Sequence, residues 1–371
     1  MSITPSIALI PSGFKTSKVY SVLPENGDVD FNFSRGSSAY RTNEQGLLEL
    51  VSSNVPRLDW YKSTCPSLMI EPQATNLIEY SNDFSNSRWT KGAGTSLSYN
   101  TNETTSPDGL NTATKITGNG TSGIFWAGIN VSGSVSRSIY IKSVSENTTA
   151  ILKDPNAGGA GVLTLDITRE WKRVELNGDN GISSAGIWVN NIKSSGVYIW
   201  GAQLETGSNA SSYIPTIGST ATRQRDSINK GSLQNYINSK KGVMYVSVII
   251  SSGSDNSLDV RVFGNSNGIF FFVADNALFC NVFSSNVSIF KPNLGGFTIG
   301  EITKMAVLFD EDKISVFRDG VTIVNEQQVS NQLSGMNEVL LSNGFRDYLL
   351  NDFRIYDQIL SVNEIKKLTT L

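Results

Sequence analysis

The sequence contains no histidine among its 371 residues. That absence removes Ser-His-Asp and Cys-His nucleophile activation, histidine-ligated zinc, and most proton shuttling near neutral pH. Charge is scarce as well, with Asp, Glu, Lys and Arg at 17% against a usual ~25%. Ser, Thr, Asn and Gly fill the gap, so a neutral, hydrogen-bonding surface is expected. A net charge of -3 without a long basic run argues against nucleic acid, whose phosphates need clustered Lys and Arg. It equally removes a polybasic membrane anchor. No apolar run approaches the ~18 residues of a membrane span. The opening MSITPSIALIPSGFK lacks a basic start and is broken by Pro11 and Gly13, so neither a signal peptide nor membrane insertion is expected. The two cysteines, Cys65 and Cys280, match no metal or redox spacing and are expected as buried thiols of a protein made in a reducing cytoplasm. No Walker loop, GxGxxG or CxxC is present, and no cofactor is expected.

What is present reads as β structure. Adding the 33 glycines and leaving out the 12 tyrosines brings the apolar share to about 45%, inside the globular range. The length suggests two domains. Residues 1–66 alternate short strand-like pieces with turns and form an N-terminal β arm with little core of its own. Its clearest unit is a hairpin, SSAYRT and LLELVS around Asn43-Glu44-Gln45-Gly46, with Gly46 able to supply positive φ. Residues 67–217 carry regularly spaced short β segments and read as a β-sandwich. Residues 218–241 are polar and basic and read as a linker. Residues 242–371 read as a second sandwich, with Ile269–Val273 and Met305–Phe309 apolar enough to be covered on both faces. Ser361-Val362-Asn363-Glu364 has capping-box form and starts one short C-terminal helix. The fold class is therefore all-β: two tandem antiparallel β-sandwiches of jelly-roll type, a β-rich arm before them and one helix after them. The pieces starting at Gly36 and Gly218 share the form GS[ST]AxRxx[DE] and are expected to be equivalent neighbouring edge strands that bracket the first sandwich.

Candidate chemistry is sparse. Asp310-Glu311-Asp312 could offer hard oxygen ligands to Ca²⁺, but FDEDKISVF also reads as a solvated hairpin turn. Glycoside hydrolysis needs two carboxylates a few ångströms apart, whereas the acids here are scattered and ExDxxE is absent; no enzymatic activity is expected. Exposed aromatics would make a sugar-stacking platform, the candidates being Trp60, Tyr61, Trp89, Tyr99, Trp126 and Tyr213, each also suited to core packing. Trp171 and Trp200 sit in regular strand patterns and read as core. A polar, non-ionic ligand fits the low charge.

The succession FSRGSSAYRTNEQGLLE, NVPRLDW, CPSLMIEPQATNLIEYSNDFSNSRWTK and WGAQLETGSNASSYIPTIGSTATRQRD resembles a module of tailed-bacteriophage tail fibre and receptor-binding virion proteins, over about residues 5–226. In that family the middle portion looks like a carbohydrate-binding-module jelly roll. The order KISVFRDGV then DFRIYDQILSVNEIKKL is similar to the end of concanavalin A-like, laminin-G-like domains. The resemblance implies a non-enzymatic virion fibre or adhesin, displayed on the particle surface and contacting host glycan, homotrimeric, with the arm meeting other virion proteins. It transfers no sugar-contact residue. Two alternatives stay open: a head, collar or other structural protein whose sandwiches dock virion proteins, and a bacterial carbohydrate-binding protein.

Overall fold

The computed structural model describes residues 3–61, 64–155, 161–179, 184–251, 258–329, 333–343 and 347–371. Strands dominate, and the single helix among the described residues is Val362–Thr369. The chain divides into two units, one made of Met1–Gly46, Val51–Gln73 and Gln224–Leu371, the other of Leu47–Leu50 and Ala74–Arg223.

The first unit packs two large antiparallel sheets. One runs, in spatial order, through Val321–Gln328, Lys313–Arg318, Ile302–Asp310, Lys241–Ile250, Tyr348–Tyr356, Ser67–Ile70 and Leu58–Asp59, with Ile7–Leu9 also paired to Tyr348–Tyr356. The other runs from Phe14–Lys15 through Phe31–Ser34, Ser227–Lys230, Glu338–Asn343, Asp259–Gly264, Asn267–Ala274 and Ala277–Ser284 to Val287–Phe290. Period-two alternation explains how one strand serves two layers. In Lys241–Ile250, Met244, Val246 and Val248 enter the core between the sheets. Val243 and Tyr245 instead join Ala306, Phe317, Tyr356 and Leu360 beneath the helix, where Ile365 is fully buried. Burying one such aliphatic side chain contributes roughly 2 kcal/mol. The capping box forms as the spacing predicts: Ser361 Oγ accepts from the Glu364 backbone N–H and Glu364 Oε2 accepts from the Ser361 N–H at 2.8 Å.

The second unit is a sandwich of two five-stranded sheets. One is ordered Thr90–Lys91, Ile124–Asn130, Ser184–Asn190, Thr148–Lys153, Val162–Ile167; the other Ser96–Ser98, Thr114–Thr117, Val197–Thr206, Val135–Ser143, Lys172–Asp179. Its incoming strand Ala74–Asn76 pairs antiparallel with its outgoing strand Ala221–Arg223.

Several expectations change. Residues 1–66 are no free arm: Ile7, Leu9, Val19, Val29, Phe31, Phe33 and Leu58 are core residues of the first unit, because their strands complete its two sheets. Residues 218–241 are no linker, since Ser227–Lys230 pairs on both sides and Leu233 and Ile237 enter the same core. The second unit is consequently inserted within the first rather than placed before it. The two pieces of the GS[ST]AxR echo do meet, the Gln224 N–H donating to Ser37 Oγ at 2.8 Å, but they are not equivalent bracketing strands, because Ala221–Arg223 pairs with Ala74–Asn76. Both strands of the predicted hairpin, Ala39–Thr42 and Leu48–Val51, are present, and Gly46 sits at φ 77°. Two-face burial holds for Met305–Phe309 apart from the half-buried Leu308, and fails for Ile269–Val273, whose Phe270 and Phe272 face outward. Cys280 is buried but Cys65 is exposed.

Candidate functional site

The outward face of the second unit's 90–91/124–130/184–190/148–153/162–167 sheet carries an aromatic row. Register places Thr90 beside Phe125, Phe125 beside Trp188, Trp188 beside Lys153 and Lys153 beside Val162. Alternation sends Ile124, Ile187, Val189 and Leu152 into the core and leaves these five on the opposite side. Phe125 and Trp188 are half-buried with ring centroids 5.4 Å apart, and Lys153 Nζ lies 4.1 Å from the Trp188 ring centroid. In the neighbouring row Asn190, Ile151 and Thr164 follow one another across three strands. Trp188 Nε1 and Asn190 Oδ1 are both covered and without a hydrogen-bond partner. At the far end of the 148–153/162–167 hairpin lies an open depression of about 270 Å³ lined by residues 147–149 and 166–168.

A buried ion pair fixes this face from below. Arg137, on the opposite sheet, meets Asp154 directly after Lys153, both fully buried. Arg137 Nε donates to the Gly186 carbonyl at 2.5 Å and the Gly186 N–H donates to Asp154 Oδ2 at 2.9 Å. The pair thus ties together the two strands that carry Trp188 and Lys153. Gly186 is needed there because a Cβ would meet the Trp126 carbonyl oxygen at 2.2 Å and Pro155 Cγ at 2.8 Å.

Among the described residues of this outward face, Asp166 is the only carboxylate. It lies four residues along its strand from Val162, about 13 Å at strand rise. Rings, an ammonium and an amide side chain stand together on this face.

The residues expected from sequence scatter. Trp89 is buried with its indole N–H donating to the Tyr80 carbonyl at 2.9 Å and its ring 5.3 Å from Trp126, itself 1% exposed. Tyr213 is buried against Trp200 at 4.6 Å, its hydroxyl 2.7 Å from Ser81 Oγ. These three are core residues, since each ring faces the interior or a covering segment, and they leave the list of stacking candidates. Trp60 is half-buried and Tyr61 is 56% exposed in the first unit, while Tyr99 is 39% exposed in the second; they share no row. Trp200 is buried as expected, but Trp171 is only half-buried, with Lys142 Nζ 5.4 Å from its ring. Asp310-Glu311-Asp312 is the turn between Ile302–Asp310 and Lys313–Arg318, Glu311 at φ 53°. Among the described residues no three acids or cysteines converge to hold a metal ion, so the Ca²⁺ candidate is withdrawn. Phe125 and Trp188 escaped the sequence reading because FW and IWV place apolar residues on both faces of their strands.

The first unit presents a different aromatic face. Outward from Asp259–Gly264, Asn267–Ala274 and Ala277–Ser284 stand Phe263, Phe270, Phe272, Phe279 and Phe283, all half-buried. Phe272 stacks on Phe279 at 5.3 Å and lies 5.1 Å from Phe270. Arg261, paired with Asp259, covers Phe270 at 4.6 Å, and Lys291 lies 5.0 Å from Phe272 and 4.9 Å from Phe279.

The residues of the motif succession singled out from the sequence converge in the first unit. Arg35, Arg57, Glu71 and Asp226 are buried together: Arg57 reaches Glu71 and Asp226 at 2.5 Å each, and Arg35 reaches Asp226 at 3.2 Å. Burial disfavours the Arg57 charge, but Asp226 and Glu71 outweigh it and hold its pKa above the usual value. Burial pushes the nearby Asp59 carboxyl up, against hydrogen bonds from the Thr42 and Tyr61 N–H groups. In the second unit the Asn76 amide donates to the Ala202 and Ile214 carbonyls and accepts from Ile78 and Leu204. This is scaffold chemistry: buried charges paired with one another and a buried amide bonded to backbone.

No protein-family profile and no curated protein matches the chain. Among solved structures it is similar to the CBM40 of the Ruminococcus gnavus IT-sialidase bound to α2,3-sialyllactose, at 14% identity over 35% of this chain and 83% of that one, TM-score 0.30. It is also similar to domain 4 of AbnA, a GH43 extracellular arabinanase from Geobacillus stearothermophilus in complex with arabinotriose, at 14% identity over 44% and 84%, TM-score 0.34. The galectin LEC-6 of Caenorhabditis elegans is similar at 12% identity over 35% and 89%, TM-score 0.28. At these scores the likeness carries no argument about the ligand.

Proposed function

We propose that the chain is a non-enzymatic bacteriophage virion protein of the fibre or adhesin kind, displayed on the particle and binding host surface glycan through the outward face of its second unit. The observation that carries this reading is the Phe125–Trp188–Lys153 row, a half-open pair of rings beside amide and hydroxyl side chains. A pyranose face packs on such rings while neighbouring polar groups take its hydroxyls. The phage placement rests on the motif succession. Titration of purified host capsular polysaccharide with the wild type and Trp188→Ala tests it: a loss of tenfold or more is expected, and equal binding by both sinks the platform. Release of reducing sugar would overturn the non-enzymatic reading.

A second reading, docking onto other virion proteins, is favoured by the phenylalanine face of the first unit, whose five side chains bring no polar group of their own. Contacts of this kind dominate obligate interfaces. Cross-linking within purified particles that never touches the strands carrying Phe272 and Phe279 would remove it.

A further inference from the structure

Lys153 is the unusual member of the row. Its ammonium lies 4.1 Å from the centroid of Trp188, which places it on the surface that a sugar ring would use. No carboxylate is paired with it among the described residues. Asp154, next in sequence, is buried in its pair with Arg137. Asp166, the one carboxylate of the outward face among the described residues, lies about 13 Å along its strand from Val162, the partner of Lys153. On the strand that carries Trp188, the indole Nε1–H and Asn190 Oδ1 also lack partners. One sheet face therefore holds two rings, an unpaired cation, an unpaired donor and an unpaired acceptor. Groups of this kind, when covered and unsatisfied, call for an explanation.

A neutral sugar stacking on Trp188 has to displace Lys153 and forfeits a cation–π contact. A sugar with a carboxylate displaces the same ammonium but pairs with it, exchanging that contact for a charge-assisted hydrogen bond. We infer that the platform selects acidic glycans, those whose pyranose rings bear a carboxylate, with Lys153 as the residue that sets the preference. This rests on the glycan-binding reading above and replaces the non-ionic ligand suggested by overall composition. Uronic and sialic acids share the carboxylate and are the two sources to separate.

The test uses the full chain with oligomeric alginate, a polyuronate, and with polysialate, each beside its carboxyl-reduced neutral form, by calorimetry at low and high salt. The wild type is expected to bind at least one acidic polymer roughly fivefold to tenfold more tightly than its reduced form, with the difference shrinking in salt. Lys153→Gln is expected to lose that difference, binding acidic and reduced forms alike, with its affinity for the reduced form raised because no ammonium has to leave the Trp188 ring. Trp188→Ala is expected to lose both. Equal wild-type binding to acidic and reduced forms overturns the acidic preference, as does discrimination retained by Lys153→Gln. A Trp188-dependent affinity for neutral polysaccharide alone also overturns it, while leaving the glycan reading intact. Failure of every polymer to bind at millimolar sugar overturns both.

Discussion

In the first unit Phe270, Phe272, Phe279 and Phe283 lean on one another across two strands, with Arg261 and Lys291 laid over them. In the second a tryptophan and a phenylalanine stand beside a lysine that has no carboxylate partner among the described residues. Both faces are aromatic, half-buried and edged by cations, yet they ask for different neighbours. Phenylalanine brings apolar area and no hydrogen-bond handle, which suits a flat protein surface. Indole and amide bring area and polar groups together, which suits a hydroxylated ligand. Counting aromatic residues cannot separate the two cases; what stands beside each ring does.

The largest expected effects ask whether the two units are energetically separate. Asp226→Ala strips the carboxylate shared by Arg35 and Arg57, and Asp154→Ala strips the partner of Arg137. Removing one member of a buried pair typically costs on the order of 3–5 kcal/mol. Calorimetry with peptide-resolved hydrogen exchange should show each variant lowering the transition of its own unit. A single transition, shifted alike by both, would break the comparison at its root.

Gly186→Ala comes next. The added methyl would press on the Trp126 carbonyl and Pro155, costing roughly 1–3 kcal/mol in thermal denaturation. Because Gly186 and Trp188 share a strand, glycan affinity should fall with it. Unchanged stability would mean that the sheet gives way more easily than its spacing implies.

A crossed pair of variants sharpens the contrast between faces. Phe272→Ser with Phe279→Ser should lower incorporation into particles about tenfold, a ~1.4 kcal/mol effect, and leave glycan titrations alone. Trp188→Ala should do the reverse. If both variants fail in the same assay, the division of labour is wrong.

The smallest effect is on pH dependence. Burial, the first cause in each case, raises the Asp59 carboxyl in one unit and the Glu205 carboxyl in the other above their ordinary values of 3.8 and 4.5. A raised folded value means that the stabilising contribution is complete below the unfolded value and is lost as pH rises through the folded one. Denaturant titrations across the mildly acidic range should therefore show that Asp59→Asn and Glu205→Gln each flatten the slope of stability against pH in their own unit. Slopes identical to wild type would refute that origin.

Much of the fold was legible. The glycine in the 43–46 turn and the Ser361–Glu364 box are local signals, and each gave its element. The insertion was not legible, because pairing of Ile7–Leu9 with Tyr348–Tyr356 links residues some 350 positions apart and no local pattern records it. The same distance hid the meaning of the family motifs, whose Arg35, Arg57, Glu71 and Asp226 become intelligible only once they share a buried site. Trp126 and Trp188 show the limit at the candidate site. Each sits beside apolar neighbours in its strand, and the pleat alone sends one inward and the other outward.

Ala74 stands opposite Arg223 in the ribbon where the second unit begins and ends, and just outside it the Asp226 N–H donates to the Glu71 carbonyl at 3.0 Å. Two cuts only a strand spacing apart, roughly 5 Å, would release everything between them, and a short glycine-containing turn could close the gap. The chain thus has the layout of a socket and a cartridge. Exchange of one 150-residue stretch between related genes could change what is recognised while the surrounding sandwich keeps its strands, its buried charges and its phenylalanine face.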